Sequence, residues 1–282
     1  MIKSKFISPL TWPGGKAKQW NLIKSYFPKN TEKMVYIEPF FGEGSCGLNA
    51  LRENLFKNYH FNDIDENLIN FWNWFVELKN DNSFNDIINQ IPFFLFYPIS
   101  NLEKLKNSEM ISTNKNLLFL VNNNLTFNGQ SWGTLTQKRL EQNWNCNKRN
   151  RIDLCFDLLK ANENKIKFSN FNFLSNWSTI KFNESLFMYL DPPYFSNKGK
   201  PYKYKFTIKQ FNEFKNKVDE YRKLGIKILI SLDDCFEVRE LFKDYYIHEA
   251  EWKYTSSNTK GNKKCKLGKE LFITNYEVKN EN

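Results

Sequence analysis

The chain has 282 residues, of which 41% are hydrophobic and 17% aromatic, a composition that excludes intrinsic disorder. Its length suits one catalytic domain with a smaller inserted or appended lobe. The formal net charge of +10 favours a polyanionic partner such as nucleic acid, although a sequence rich in Lys and Asn throughout carries the same excess without one.

Five scattered cysteines without a CxxC pair, with His60 and His248 the only histidines, argue against a zinc site and a disulfide framework. The thiols fit a reducing cytoplasm. The most apolar run, Ile91–Ile99, contains two prolines and is too short to span a bilayer, and residues Met1–Lys5 lack the apolar stretch of a signal peptide. A cytoplasmic protein, free of membrane and metal, is therefore expected.

In chain order, Met34–Glu38 reads as a short buried strand between Pro28 and Pro39. Gly42–Gly47 is a glycine turn leading into a helical stretch through Leu55. Asn58–Asn62 reads as a second strand, closed by Asp63. Asn67–Lys79 carries Leu68, Phe71, Trp72 and Phe75 at helical spacing, an aromatic stripe better suited to a core than to a ligand. From Asn80 to Asn150 the alternation blurs, and Asn128-Gly129 is a hairpin signal inside Thr126–Thr134. This stretch reads as an inserted, mainly helical lobe spanning residues 76–159, with residues 1–75 and 160–282 forming the catalytic domain. Alternation then resumes with strand Leu186–Leu190, helix Ile208–Leu224, strand Lys227–Ser231 and a terminal strand near Leu271–Tyr276. The pattern predicts an α/β fold with a largely parallel, doubly wound sheet, whose ligands sit beyond the carboxyl ends of the strands.

Two motifs lie at such ends. Gly42-Glu43-Gly44-Ser45-Cys46-Gly47 fits GxGxxG between a strand and a helix, and Asp63 follows 21 residues after Gly42. Glycines admit a ligand close to the backbone, and a carboxylate at that distance accepts ribose hydroxyls, so an adenosine-containing cofactor is expected. A plain glycine turn is the bland alternative. Leu190-Asp191-Pro192-Pro193-Tyr194-Phe195 is more specific. Its prolines fix the backbone and remove two amide donors. The Asp191 carboxylate and the Pro192 carbonyl then offer two acceptors for a primary amine, and Tyr194 a flat face for a base.

With these motifs the sequence resembles the Dam-type, α-group DNA adenine-N6 methyltransferases. The resemblance rests on Pro9-Leu10-Thr11-Trp12-Pro13-Gly14-Gly15-Lys16, Glu38-Pro39-Phe40-Phe41-Gly42-Glu43-Gly44-Ser45, Asn62-Asp63-Ile64-Asp65 and the Asp-Pro-Pro-Tyr tetrad. Ile230-Ser231, Lys269–Tyr276 and the stretch Asn122–Gly129 are similar to further family signatures. The likeness implies a Rossmann-like methyltransferase sheet with an inserted target-recognition lobe, and S-adenosylmethionine as cofactor. By it, Trp12, Lys16, Glu38, Asp63, Ile64 and Asp191, with the backbone of Phe40 and Gly42, hold the cofactor, and Asn172 and Phe173 flank its adenine. Asp191, Pro192 and Tyr194 are the catalytic set. Two departures stand out: the family carries Asp-Phe where this chain has Asn172-Phe173, and Dam itself carries lysine where Thr11 stands.

The implied partner is double-stranded DNA, with a cognate restriction endonuclease as a companion. Basic residues give this an electrostatic basis: Lys138, Arg139, Lys148, Arg149 and Arg151 in the lobe, Lys203 among the residues after the tetrad, and Lys263 in the Ser256–Gly268 loop, joined by Asn128. Each cluster reads equally well as a solvated face. Three other readings share parts of the pattern. An amino-methyltransferase could act on cytosine N4, RNA adenine or a glutamine amide. A nicotinamide oxidoreductase could use the glycine turn, but leaves the tetrad without a role. A DNA-binding module could carry a silent site.

Overall fold

The structure is a computed structural model that describes residues 7–12, 14–78, 115–125, 146–175, 184–195, 206–253 and 267–278. Its elements, in order, are α1 (Trp20–Lys24), β1 (Val35–Glu38), α2 (Ser45–Arg52), β2 (Asn58–Asn62), α3 (Glu66–Glu77), α4 (Lys115–Leu125) and α5 (Cys146–Ala161). There follow β3 (Ile166–Ser169), β4 (Leu186–Leu190), α6 (Ile208–Lys223), β5 (Lys227–Asp233), α7 (Phe236–Leu241), β6 (Tyr246–Lys253) and β7 (Leu267–Thr274).

Seven strands form one sheet in the order β3-β2-β1-β4-β5-β7-β6. β1 runs parallel to β4, with Ile37 opposite Met188, and β4 parallel to β5, with Leu190 opposite Ile230. β7 is antiparallel to both β5 and β6. The strand order reverses between β1 and β4, the kind of switch point at which doubly wound sheets bind ligands. The fold is thus the Rossmann-like α/β class expected.

Two compact units divide the chain, the first comprising Met1–Lys18, Phe41–Asn54 and Phe61–Asn170, the second Gln19–Phe40, Leu55–His60 and Phe171–Asn282. The first has an aromatic core. Phe41 stacks on Phe61 at 4.2 Å and meets Trp72 edge-on at 5.3 Å, while Trp72 lies parallel to Phe168 at 6.0 Å. Such ring pairs add to the burial of their large apolar area. The α3 stripe foreseen from spacing is core: Leu68, Phe71, Trp72 and Phe75 are all buried. The helix starts at an Asp65 cap, whose side chain accepts the Asn67 amide at 3.1 Å.

In the second unit β4 is buried along its whole length, as a strand covered on both faces must be. α6 covers it with Phe211, Phe214, Val218 and Tyr221, which recur at helical spacing and share one core with Met188, Leu190 and Ile228. A capping box between Thr207 and Gln210 opens α6. Gly225, at φ +79°, follows its end.

Several boundaries differ from the sequence reading. α2 begins at Ser45, so Gly47 belongs to its first turn rather than to the glycine turn. β5 runs two residues past Ser231, to Asp233. The elements α5, β3, α7 and β6 had no clear periodic signal. β3 has only four residues, and β6 mixes His248, Glu249 and Glu251 into an edge strand paired on one side. Between residues 79 and 159 the described residues are helical, in α4 and α5, whereas the Thr126–Thr134 hairpin signal lies outside the described residues.

Candidate active site

In the first unit the chain leaves Phe41 through a turn that glycine makes feasible. Gly42 has φ +52° and Gly44 φ +77°, left-handed values that cost side-chain-bearing residues energy. The turn is tied on several sides. The Gly42 amide donates to Asp63 Oδ2 at 2.9 Å, its carbonyl accepts the Trp72 indole N–H at 3.3 Å, and the Phe41 amide donates to the Asn62 carbonyl at 2.9 Å. The Asp65 amide donates to Asp63 Oδ1 at 2.9 Å. Trp12 completes the arrangement, for a Cβ on Gly42 would stand 3.4 Å from its indole nitrogen. Three sequence-predicted residues (Trp12, Gly42 and Asp63) are therefore brought together.

Burial pushes the Asp63 carboxyl up to about 6, against the opposing pull of the backbone amides it accepts. Beside it Ile64 is exposed at 42%. Lys16 is 4% exposed, uncommon for a lysine. Glu43 bonds the Ser45 hydroxyl and, with Ser45, Asn49 and Arg151, lines a small cavity next to the turn. Arg151 is half-buried, and burial lowers its guanidinium from the usual arginine range while Glu43 works in the opposite direction.

In the second unit the candidate residues end neighbouring parallel strands. Glu38, at the end of β1, is 3% exposed and accepts the Tyr36 hydroxyl at 3.0 Å. Asp191 directly follows β4 and is half-buried, and its Oδ1 receives the Ser231 hydroxyl at 3.4 Å. Pro192 is buried and Tyr194 half-buried. Just beyond the tetrad, the Phe195 amide donates to Asp233 Oδ1 at 2.9 Å. Ser231 and Asp233 are alternate residues of β5 and so share one face. They grip the tetrad at its first residue and just past its last.

Phe40 and Phe173 meet at 5.3 Å, and Phe173 also contacts Phe214 and Tyr221 within the core. Asn172 is exposed and closes a local turn by accepting the Leu174 amide at 3.0 Å. Arg149 lies in α5, where the backbone alone is described. Asn128, Lys138, Arg139, Lys203 and Lys263 lie outside the described residues.

Two contributors were not singled out from sequence, Asp233 and Asn123. The signal for Asp233 was available, since an acidic residue at the end of an apolar strand also marks Glu38, Asp63 and Asp191. Asn123 fell within a noted stretch, but only its hydrogen bonds to Thr11 distinguish it. Among the described residues no cluster of three or more His, Cys, Asp or Glu is placed to hold a metal ion. None of the described helices is long and apolar enough to cross a membrane.

The first unit thus carries a left-handed glycine turn braced by Asp63, and the second a proline-fixed tetrad that follows β4 of a Rossmann-like sheet. The model of the D12 class N6 adenine-specific DNA methyltransferases matches residues 12–256. The chain belongs to that family. It is 28% identical over 299 residues to the modification methylase StsI of Streptococcus sanguinis, an alignment covering 98% of this chain and 44% of that protein. The chain thus spans under half the length of this relative. Among solved structures it is similar to Thermoplasma acidophilum 1320, at 10% identity and TM-score 0.41, over 90% of this chain and 84% of that one. It is also similar to a precorrin-6y C5,15-methyltransferase of Geobacter metallireducens, at 9% identity and TM-score 0.39, over 90% and 85% of the two chains.

Proposed function

We propose that the protein transfers a methyl group from S-adenosylmethionine to the N6 amine of an adenine flipped out of duplex DNA at a specific site. The observation that carries this reading is the Asp191–Tyr194 tetrad at the carboxyl end of β4, beside the switch point, in a chain of this family. The residues present suit the cofactor. Gly42 has no Cβ and stands at a left-handed φ, and Asp63 and Glu38 are carboxylates at strand ends able to accept hydroxyl and ammonium donors. Trp12, Lys16, Phe40, Ile64, Asn172, Phe173 and Asp191 complete the proposed set, on the family resemblance.

When bound, the cofactor supplies a methyl group activated on a sulfonium, so the protein needs neither a covalent intermediate nor a metal. The remaining task is alignment of the amine nitrogen with the methyl carbon. The adenine lone pair is delocalised into the ring. Hydrogen bonds from the amine to the Asp191 carboxylate and the Pro192 carbonyl favour a more tetrahedral nitrogen and stabilise positive charge as it develops. Tyr194 offers the stacking face for the extruded base. Residues 76–159 act as the target-recognition lobe. Asn128, Lys138, Arg139, Arg149, Arg151, Lys203 and Lys263 serve phosphate and base contact. Cytoplasmic, nucleoid-associated protein, with a restriction endonuclease as companion, completes the proposal.

Tritiated methyl transfer to duplex DNA, followed by nucleoside analysis, tests this reading. Label on N6-methyladenine is expected. Label confined to N4-methylcytosine, RNA or protein overturns the substrate assignment, and DNA binding without transfer favours the silent module.

A further inference from the structure

From the hydrogen bonds of α4 we infer that Asn123 is a positioning residue for the cofactor site, clamping the backbone of Thr11 and so setting the Trp12 indole against Gly42. The inference rests on the proposed use of S-adenosylmethionine. It adds a residue to that site and links the site to the segment read as the recognition lobe.

Asn123 lies in the last turn of α4 and is 3% exposed. Its side-chain amide pairs with both backbone groups of one residue, Thr11. Asn123 Oδ1 accepts the Thr11 amide at 2.7 Å, and Asn123 Nδ2 donates to the Thr11 carbonyl at 3.0 Å. This is the hydrogen bonding of a strand partner, supplied by a side chain 112 residues away. Its neighbour Asn124 donates to the Pro9 carbonyl at 3.1 Å, so two adjacent asparagines hold the backbone of residues 9 and 11. The next residue is Trp12, whose indole edge borders the space beside Gly42 Cα, and whose carbonyl accepts the Gly15 amide at 3.3 Å. Trp12 has only two side-chain torsions, each with a few preferred wells, so holding its backbone confines the indole to a small set of positions, among them the one against Gly42.

The far side of the glycine turn is secured without Asn123. Trp72 of α3 bonds the Gly42 carbonyl, and Phe119 of α4 packs on Phe71 of α3 at 5.5 Å. Removing the Asn123 amide therefore loosens the Thr11–Trp12 segment while α3, α4 and the turn keep their own contacts. An asparagine needed only for stability would leave cofactor affinity unchanged once the protein is folded.

Isothermal calorimetry with S-adenosylmethionine on folded full-length variants tests this. Asn123→Ala should weaken binding roughly tenfold, the effect of losing a buried reciprocal pair. Asn123→Asp carries the test should the alanine variant fail to fold. Its ionised carboxylate still accepts the Thr11 amide but opposes the Thr11 carbonyl, whereas the protonated acid donates to that carbonyl and restores both bonds. The ratio of its dissociation constant to wild type should be about tenfold at pH 8 and close to within about twofold by pH 5. Asp63 titrates in both proteins and cancels in the ratio. Wild-type affinity in Asn123→Ala, or in Asn123→Asp at pH 8, overturns the positioning role. A wild-type chain that binds no S-adenosylmethionine overturns the cofactor assignment itself, and this inference with it.

Discussion

The Gly42 amide donates to the Asp63 carboxylate at 2.9 Å, so the glycine turn and the acidic residue 21 positions later are one bonded unit rather than two separate motifs. Asp63 thereby braces the turn, and the proposed function gives it a second task, to receive a ligand. Its carboxyl, raised by burial to about 6, titrates just below neutrality.

A pH dependence follows. An acid whose folded pKa lies above its unfolded value binds its proton more tightly when folded. The stabilisation is full below the ordinary aspartate range and is lost as pH rises from about 4 to about 6. Cofactor binding runs the opposite way, because ribose hydroxyls donate best to the ionised form. Calorimetry should find S-adenosylmethionine affinity rising between pH 5 and 7 with a midpoint near 6. Asp63→Asn should flatten that profile, and an unchanged profile removes Asp63 from the ligand site.

The two left-handed glycines of this turn should differ in tolerance. A Cβ on Gly44 would stand 2.5 Å from Phe41 Cζ, and Phe41 is locked between Phe61 and Trp72. On Gly42 it would make ordinary contact with Trp12 at 3.4 Å. Urea unfolding should therefore place Gly42→Ala about 1–2 kcal/mol below wild type, from backbone strain alone. Gly44→Ala should lie about 2–4 kcal/mol below it, once overpacking is added. Equal costs would mean that Phe41 yields freely.

Asp191 and Tyr194 should fail in different ways. Tyr194→Trp should keep substantial single-turnover activity, whereas Tyr194→Ala should lose roughly 10- to 200-fold, the equivalent of one stacked base. Asp191→Ala should nearly abolish turnover, a loss far larger than any weakening of cofactor or DNA binding. A 2-aminopurine at the target position should still brighten with it, because extrusion precedes chemistry. Full single-turnover rate in Tyr194→Ala, or an Asp191→Ala defect confined to KM, sinks the assigned roles.

Asp233 holds the Phe195 amide, the first peptide beyond the tetrad. Asp233→Asn keeps an acceptor there and should retain most of kcat. Asp233→Ala leaves a part-buried N–H without this acceptor and should cost about 1–3 kcal/mol in stability. If it positions Tyr194, Asp233→Ala should also lower kcat several-fold at saturating substrate. Loss of stability with an unchanged kcat leaves Asp233 a purely structural residue.

DNA affinity should fall steeply with salt as lysine and arginine displace condensed counterions. Arg149→Gln should reduce the slope of log affinity against log salt by about 0.9. Arg151→Gln should reduce it less, because this half-buried guanidinium already sits in the field of Glu43. A wild-type slope near zero would return the basic excess to composition alone.

Local chemistry carried much of this protein's reading. The apolar runs of β1 and β4, the stripe on α3, the glycine turn and the proline-fixed tetrad each depend on residues adjacent in sequence or one helical turn apart, so their spacing declares them. Only the tertiary structure decided the long-range partnerships. The β5 face that grips the tetrad depended on where the strand ended, two residues beyond Ser231, where the sequence reading had closed it. Arg151 read as one more basic surface residue until helix packing set it beside Glu43. Asn123 looked like any asparagine in an asparagine-rich chain. Its distinction is a pair of hydrogen bonds to the backbone of a residue 112 positions away, and hydrogen bonds across that distance leave no periodic trace in a sequence.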